Sequence, residues 1–136
     1  MNLRSCRAED AETVLALWKV AAAAGSLADT IDGLLKRLER DRDLFVVAED
    51  DGRLVGTLIG GWDGWRGNMY RLAVHPDCRR RGVARALVRE VERRLREVGA
   101  RRITALVLED NDGAQTFWSA VGYDHDESIR RYVRNV

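Results

Sequence analysis

The stretch RLAVHPDCRRRGVARALV, residues 71–88, joins a strand to a helix through a loop that carries three arginines. The strand, predicted over 69–75, stops at the His75–Pro76 pair because proline cannot donate to a sheet ladder. Beyond the loop, apolar residues at helical spacing predict a long helix over 82–98, with a glycine directly after it. The chain therefore passes from a strand end into a helix N-terminus.

The arginine loop has the features of an anion-binding site. A helix N-terminus exposes unpaired N–H groups and a partial positive charge, and both favour phosphate. Gly82 lets the main chain approach a ligand with no Cβ in the way, and Ala84 keeps the next turn slim. These residues predict a pyrophosphate site made mainly of main-chain donors. The alternative is a solvated charged loop before an ordinary helix.

The elements on either side of this loop predict a mixed, mostly antiparallel sheet of six to seven strands with about four helices on its faces. An Asp51–Gly52 turn predicts the clearest hairpin. The sequence shows no linker or internal repeat, so we expect one domain over 1–136. The predicted strands are 2–6, 44–48, 54–60, 69–75, 101–108, 123–126 and 129–134. The predicted helices run from about 9 to 25, 30–40, 82–98 and 111–121.

Composition excludes several classes of protein. The chain is 46% apolar and 33% charged with a net charge of +1, which argues against nucleic acid as a partner. No apolar run approaches the roughly 20 residues that span a bilayer, and no signal peptide is evident. Two distant cysteines and two isolated histidines give no metal site and no disulfide framework. We expect a cytoplasmic protein without a metal.

Two motifs resemble those of the GNAT N-acetyltransferase superfamily. Residues 79–84, RRRGVA, match its acyl-CoA-binding pattern Arg/Gln-x-x-Gly-x-Gly/Ala, and EDNDGAQTFWSAVGY (109–123) resembles its second signature. The two occur in the family's order, about 30 residues apart, and the whole chain fits the family's succession of elements. The resemblance implies the acyl-CoA N-acyltransferase fold, acetyl-CoA as cosubstrate, and transfer to a primary amine.

The resemblance also implies where acetyl-CoA binds. Main-chain groups of one strand, whose partner strand splays away from it, would pair with pantetheine: Leu72, Ala73 and Val74. N–H groups of the loop and the first helical turn would hold the pyrophosphate: Arg79, Arg80, Arg81, Gly82, Val83 and Ala84. Asn111 would contact the pantetheine arm, and it also suits a helix cap.

The implied chemistry is direct attack of a neutral amine on the thioester, with a main-chain N–H near Leu72 as the oxyanion donor. Many relatives protonate the departing thiolate with a tyrosine at the position of Trp118, and an indole N–H has no useful acidity. For the general base, the candidates are Glu109, Asp63 and a water relay. The replaced tyrosine also favours an alternative, an acyl-CoA-binding protein with little or no transferase activity.

The sequence offers several candidate residues for the acceptor site. Trp62 and Trp65 lie in the turn-rich stretch 62–68, where they either line the acceptor groove or form an apolar lid over the end of the sheet. Tyr70 alternates with the residues expected at pantetheine and is a further candidate for acceptor contact. The partner would be a small-molecule or peptide amine, and a homodimer is possible.

Overall fold

The computed structural model describes residues 1–21, 29–107 and 112–136. These residues form two compact units, Met1–Leu106 and Val107–Val136. No observation tests the expectation of one domain over the whole chain, which stays a prediction.

The first unit contains five strands and three α-helices within the described ranges. The strands are β1 (Asn2–Ser5), β2 (Phe45–Asp50), β3 (Arg53–Trp62), β4 (Gly67–Val74) and β5 (Ile103–Ala105). The helices are α1 (Ala11–Val20), α2 (Ile31–Arg40) and α3 (Val83–Val98), and the second unit contains α4 (Asp112–Ala120). Single 3-10 turns lie at Ala8–Asp10, Arg42–Leu44 and Pro76–Cys78.

The five strands form one sheet in chain order, β1-β2-β3-β4-β5. All neighbours are antiparallel except β4 and β5, which are parallel. The predicted mixed, mostly antiparallel sheet with about four helices is confirmed. In the hairpin between β2 and β3, Asp51 and Gly52 both have positive φ, 51° and 74°, as a type I′ turn requires.

The strand count is lower than the six to seven predicted. The described chain carries no strand between residues 123 and 136, so the predicted strands 123–126 and 129–134 are wrong. Ile129, Tyr132 and Val133 are all exposed. An isolated strand with neither a paired neighbour nor a buried face has little to stabilise it. The fifth strand is also shorter than the predicted 101–108, whose last residue lies outside the described residues.

Helices cover both faces of the sheet. On one face, α3 packs closely against β3, because a Cβ at Gly56 or Gly60 would lie within 3.0 Å of a valine methyl of the helix. On the other face, α1 and α2 cover a second apolar cluster, in which the rings of Trp18 and Phe45 stack at 6.3 Å. The end of β4 at Val74 and the start of α3 at Val83, which flank the arginine loop, therefore belong to closely packed elements.

Candidate functional site

Strands β4 and β5 pair over only three residues each. The pairs are Gly67–Ile103, Asn68–Thr104 and Met69–Ala105, although β4 continues to Val74. Between Tyr70 and Val74, the β5-facing edge of β4 has no strand partner among the residues that the structure describes. A parallel pair that opens in this way exposes main-chain donors and acceptors of β4 to a ligand.

A β-bulge distorts β4 where this opening begins. Its register with β3 moves from Ile59–Tyr70 to Thr57–Ala73, so β4 has one extra residue. Arg71, within the bulge, has a φ of 61°. The left-handed conformation costs a residue with a Cβ roughly 1–2 kcal/mol, and bulges commonly re-aim the groups beside them. Here the re-aimed group is the peptide between Arg71 and Leu72.

Three contacts stabilise Arg71 in this conformation. Its guanidinium lies 2.7 Å from the Asp29 carboxylate and 5.3 Å from the centre of the Trp18 ring. Its carbonyl accepts a hydrogen bond of 3.0 Å from the buried hydroxyl of Thr57. Because these contacts come from three other parts of the chain, they offset backbone strain that the local sequence alone would not support.

The arginine loop leads into α3 in an open, left-handed conformation. Arg80 and Gly82 have φ values of 63° and 81°, and a Cβ at Gly82 would meet nothing within 4 Å. Gly82 is the N-cap, so it offers α3 no capping side chain, and no acidic residue lies in the first turn. The N–H groups of that turn therefore have no capping side chain from Gly82, and they lie next to Arg80 and Arg81, both exposed. This arrangement fits a phosphate group.

The remaining residues predicted at the acyl-CoA site fall into three groups. Ala73 is buried in the α1–α2 cluster, and Leu72 and Val74 are half-buried on the open stretch of β4. Arg79 donates to the carbonyl of Ala21 just after α1, at 3.3 Å. Asn111 and the candidate base Glu109 lie outside the described residues.

The other candidate base, Asp63, belongs to the turn between β3 and β4. Its carboxylate accepts the N–H groups of Arg66 at 2.6 Å and Trp65 at 2.8 Å. These hydrogen bonds lower the pKa of Asp63 below its ordinary value, which makes it a weaker base than an ordinary aspartate. The turn also lies at the end of β3 and β4 opposite the arginine loop. Its assignment as a base stays a prediction.

The aromatic candidates for acceptor binding have other neighbours in the structure. Trp65 is 81% exposed, with Arg66 over its ring, and Trp62 lies beside Gly99 just after α3. Trp62 ends β3 and Trp65 lies in the same turn as Asp63, so both lie at the end of β3 and β4 opposite the arginine loop. Tyr70 lies on the open stretch of β4, where its hydroxyl accepts from Nε of Arg37 at 2.9 Å. Of the three, Tyr70 lies nearest in sequence to the bulge.

Trp118 belongs to an aromatic cluster of the second unit. It is buried, and its ring makes edge-on contacts with Phe117 at 5.5 Å and with Tyr123 at 4.8 Å. Its carbonyl also accepts the N–H of Tyr123 at 2.9 Å. Tyr123 therefore packs against Trp118.

Sequence reasoning missed the residues that support the bulge. Thr57 interrupts an apolar strand and Arg71 an otherwise apolar stretch, and a buried polar residue in a packed strand is a signal of function or of a specific hydrogen bond. Nothing in the pattern connected them with Trp18.

In the part of the chain that the structure describes, no group of three or more side chains could bind a metal ion, and no helix is long and apolar enough to cross a membrane.

A family model described as the acetyltransferase (GNAT) family matches residues 11–123. The chain belongs to this family. It is 39% identical over 129 residues to an acetyltransferase of Pectobacterium atrosepticum, an alignment that covers 95% of this chain and 92% of that protein.

Solved structures share the GNAT fold of this chain. An aminoglycoside 6′-N-acetyltransferase of Acinetobacter haemolyticus superposes with a TM-score of 0.82 at 18% identity, covering 100% of this chain and 99% of that one. A Mycobacterium tuberculosis protein solved in complex with CoA superposes with a TM-score of 0.68 at 22% identity, covering 86% of this chain and 70% of that one. At such identities, the likeness concerns the fold alone.

Proposed function

We propose that this GNAT acetyltransferase transfers the acetyl group of acetyl-CoA to a primary amine by direct attack of the neutral amine on the thioester. The observation that carries the proposal is the opening of β4 from β5 beyond Met69, which leads to the uncapped N-terminus of α3. An acyl-CoA needs an extended partner for its pantetheine arm and positive charge for its phosphates, and these two features supply them.

In this proposal, each part of acetyl-CoA has its own partner. The pyrophosphate binds the N–H groups from Gly82 to Ala84, with Arg80 and Arg81 beside it. Pantetheine pairs with the main chain from Leu72 to Val74, and Asn111 adds a contact to the arm. The relative from M. tuberculosis that was solved with CoA supports the choice of ligand.

The reaction then needs three groups. The Leu72 N–H donates to the thioester oxygen as negative charge develops on it. The amine adds to the carbonyl carbon, the C–S bond breaks, and the ammonium proton passes to a base, for which Glu109, Asp63 and water are the candidates. The CoA thiolate takes that proton back from the base, or takes one from water, because a thiol pKa of about 8.5 makes this step easy near neutral pH.

The acceptor in this proposal is a small-molecule or peptide amine, bound near Tyr70 or beside Trp62 and Trp65. The related aminoglycoside acetyltransferase is a precedent for a small-molecule amine. We also propose a cytoplasmic location, in keeping with the unpaired cysteines Cys6 and Cys78. Homodimer formation remains part of this proposal.

Trp118 favours a second function, acyl-CoA binding with little or no transfer, because it replaces a family acid. An experiment with two steps distinguishes the two functions. Thermal shifts with acetyl-CoA, CoA and ATP test for the site, and release of free thiol from acetyl-CoA across a panel of amines tests for transfer. Stabilisation by acetyl-CoA without thiol release on any amine would favour the binding function. An absence of stabilisation at millimolar acetyl-CoA would contradict both.

A further inference from the structure

A buried chain of two hydrogen bonds connects α1 to the bulge of β4. The indole Nε1 of Trp18 donates to Oγ1 of Thr57 at 2.9 Å, and the same hydroxyl donates to the carbonyl of Arg71 at 3.0 Å. Thr57 is fully buried on β3. A buried hydroxyl with no partner would cost about 1–3 kcal/mol, so both contacts contribute to its place in the core.

The chemistry of the three groups fixes the direction of this chain. An indole N–H can only donate, so the Thr57 oxygen must accept from Trp18. A hydroxyl has one proton, and the Trp18 contact leaves it free for a different acceptor. The carbonyl of Arg71 is that acceptor, since it cannot donate.

The bond to the carbonyl also orients the neighbouring amide. In a planar trans peptide, the C=O of one residue and the N–H of the next point in opposite directions. The carbonyl of Arg71 is drawn toward Thr57, so the N–H of Leu72 points away from Thr57 and β3. The edge of β4 away from β3 is the edge that opens toward β5.

Backbone strain makes such a restraint necessary. Arg71 is held at a φ of 61°, and rotation of the Arg71–Leu72 peptide plane is the local motion that would relax the bulge. The ion pair with Asp29 and the contact with the Trp18 ring restrain the side chain of Arg71. Among the described residues, the Thr57 hydroxyl is the side chain that restrains its carbonyl.

We propose that Thr57, itself oriented by Trp18, is a positioning residue that aims the N–H of Leu72 at the thioester oxygen of acetyl-CoA. This inference rests on the proposed function, because it needs acetyl-CoA in the opening between β4 and β5. Thr57 does not touch the substrate in this account. It acts through the peptide between Arg71 and Leu72.

The test compares acetyl-CoA with S-ethyl-CoA, a thioether that has no carbonyl oxygen for Leu72 to bind. Dissociation constants for both ligands are measured by calorimetry for the wild type, Thr57→Val and Thr57→Ser. In the same samples, the Leu72 amide proton is followed by NMR. Thr104→Val is the matched control, because it makes the same change at an exposed position of β5.

In the wild type, we expect acetyl-CoA to bind about twofold to tenfold more tightly than S-ethyl-CoA, the value of one hydrogen bond. The NMR signal of the Leu72 amide proton should shift downfield when acetyl-CoA binds and should not shift downfield when S-ethyl-CoA binds. Thr57→Val should bring the affinity ratio close to one and abolish the shift. Thr57→Ser, which keeps the hydroxyl, and Thr104→Val should behave as the wild type does.

A Thr57→Val variant with the wild-type ratio and the wild-type Leu72 shift would overturn the positioning role and leave the proposed function in place. A wild type that binds neither ligand would overturn both. If Thr57→Val does not fold, Thr57→Ala carries the same expectation, because it also removes the hydroxyl. A loss of ratio and shift in Thr57→Ser as well would show a packing effect and would contradict the inference.

Discussion

Substitution of Gly82 by aspartate should greatly weaken acetyl-CoA binding while the fold survives. The residue has a φ of 81° and open space around its missing Cβ, so the new side chain fits sterically at a backbone cost of about 1–2 kcal/mol. Its carboxylate would lie against the pyrophosphate. At about 5 Å, each pair of like charges costs about 0.8 kcal/mol in bulk water and about 3 kcal/mol at an effective dielectric constant of 20. The carboxylate would also compete for the N–H groups of the first turn of α3.

These terms predict that Gly82→Asp raises the Kd of acetyl-CoA about a hundredfold. Acetyl-CoA at about 100 times the wild-type Kd stabilises the wild type by about 2.7 kcal/mol, and it would then stabilise the variant by about 0.4 kcal/mol. Thermal unfolding with and without acetyl-CoA measures the difference. Gly64→Asp is the matched control, because Gly64 has a φ of 91°, has equally open surroundings and lies in the turn between β3 and β4.

The control should lose similar intrinsic stability and keep the full stabilisation by acetyl-CoA. If Gly82→Asp is stabilised as much as the wild type, the pyrophosphate does not bind at the N-terminus of α3. If Gly64→Asp loses the response as well, the loss in Gly82→Asp reflects general destabilisation, and the reasoning from the site fails.

Three further predictions address the reacting groups and the fold. Trp118→Phe should change kcat by less than about tenfold, a change of under about 1.4 kcal/mol in activation free energy, because a CoA thiolate needs little acid assistance. A large gain in kcat in Trp118→Tyr, with the wild type near background, would favour the binding function. Asp63→Asn keeps a side-chain oxygen that can accept the N–H groups of the turn, and it should leave kcat within about threefold of the wild type in thiol-release assays, since the lowered pKa of Asp63 makes it a weak base. A loss of about a hundredfold in kcat would identify Asp63 as the base. Hydrogen bonds from Arg93 and then Arg94 lower the pKa of Glu90 from an ordinary 4.5 to about 2, so the ionised Glu90 stabilises the fold fully above about pH 4.5 and loses this effect as the pH falls toward 2. Over that pH range the Tm of Glu90→Gln should therefore fall less than the Tm of the wild type, and an equal fall of Tm in the two proteins would contradict this.

The sequence predicted the parts of the fold that depend on local chemistry. The proline after His75, the glycine before α3 and the apolar spacing of α3 are sufficient to place the strand, the loop and the helix. The Asp51–Gly52 turn likewise predicts its hairpin, because few other residues tolerate two successive positive φ values. The candidate main-chain anion site was predicted from the same local features, and it stays a prediction.

The bulge could not be predicted in the same way. The stretch from Met69 to His75 has the pattern of a regular strand, and no local signal favours a left-handed arginine within it. Arg71 adopts that conformation because Asp29, Trp18 and Thr57 contact it, and they are far away in sequence. Long-range contacts therefore determine where the candidate oxyanion donor points.

The terminal strands show the opposite error. Residues 129–134, IRRYVR, contain the branched and aromatic residues that favour strands. In the structure, Tyr132 is 90% exposed and the stretch has no strand partner among the described residues. Strand propensity measures how well a side chain fits a half-buried sheet, and it cannot supply the sheet itself.

Titration of the isotopically labelled protein with acetyl-CoA, followed residue by residue through its backbone amides, tests the central claim most directly. We predict that the largest chemical-shift changes fall on two segments, Leu72–Val74 on the open stretch of β4 and Gly82–Ala84 at the start of α3. Saturating changes confined to the opposite end of the sheet, around Trp62 and Trp65, would contradict the account. An unchanged spectrum at millimolar acetyl-CoA would contradict it as well.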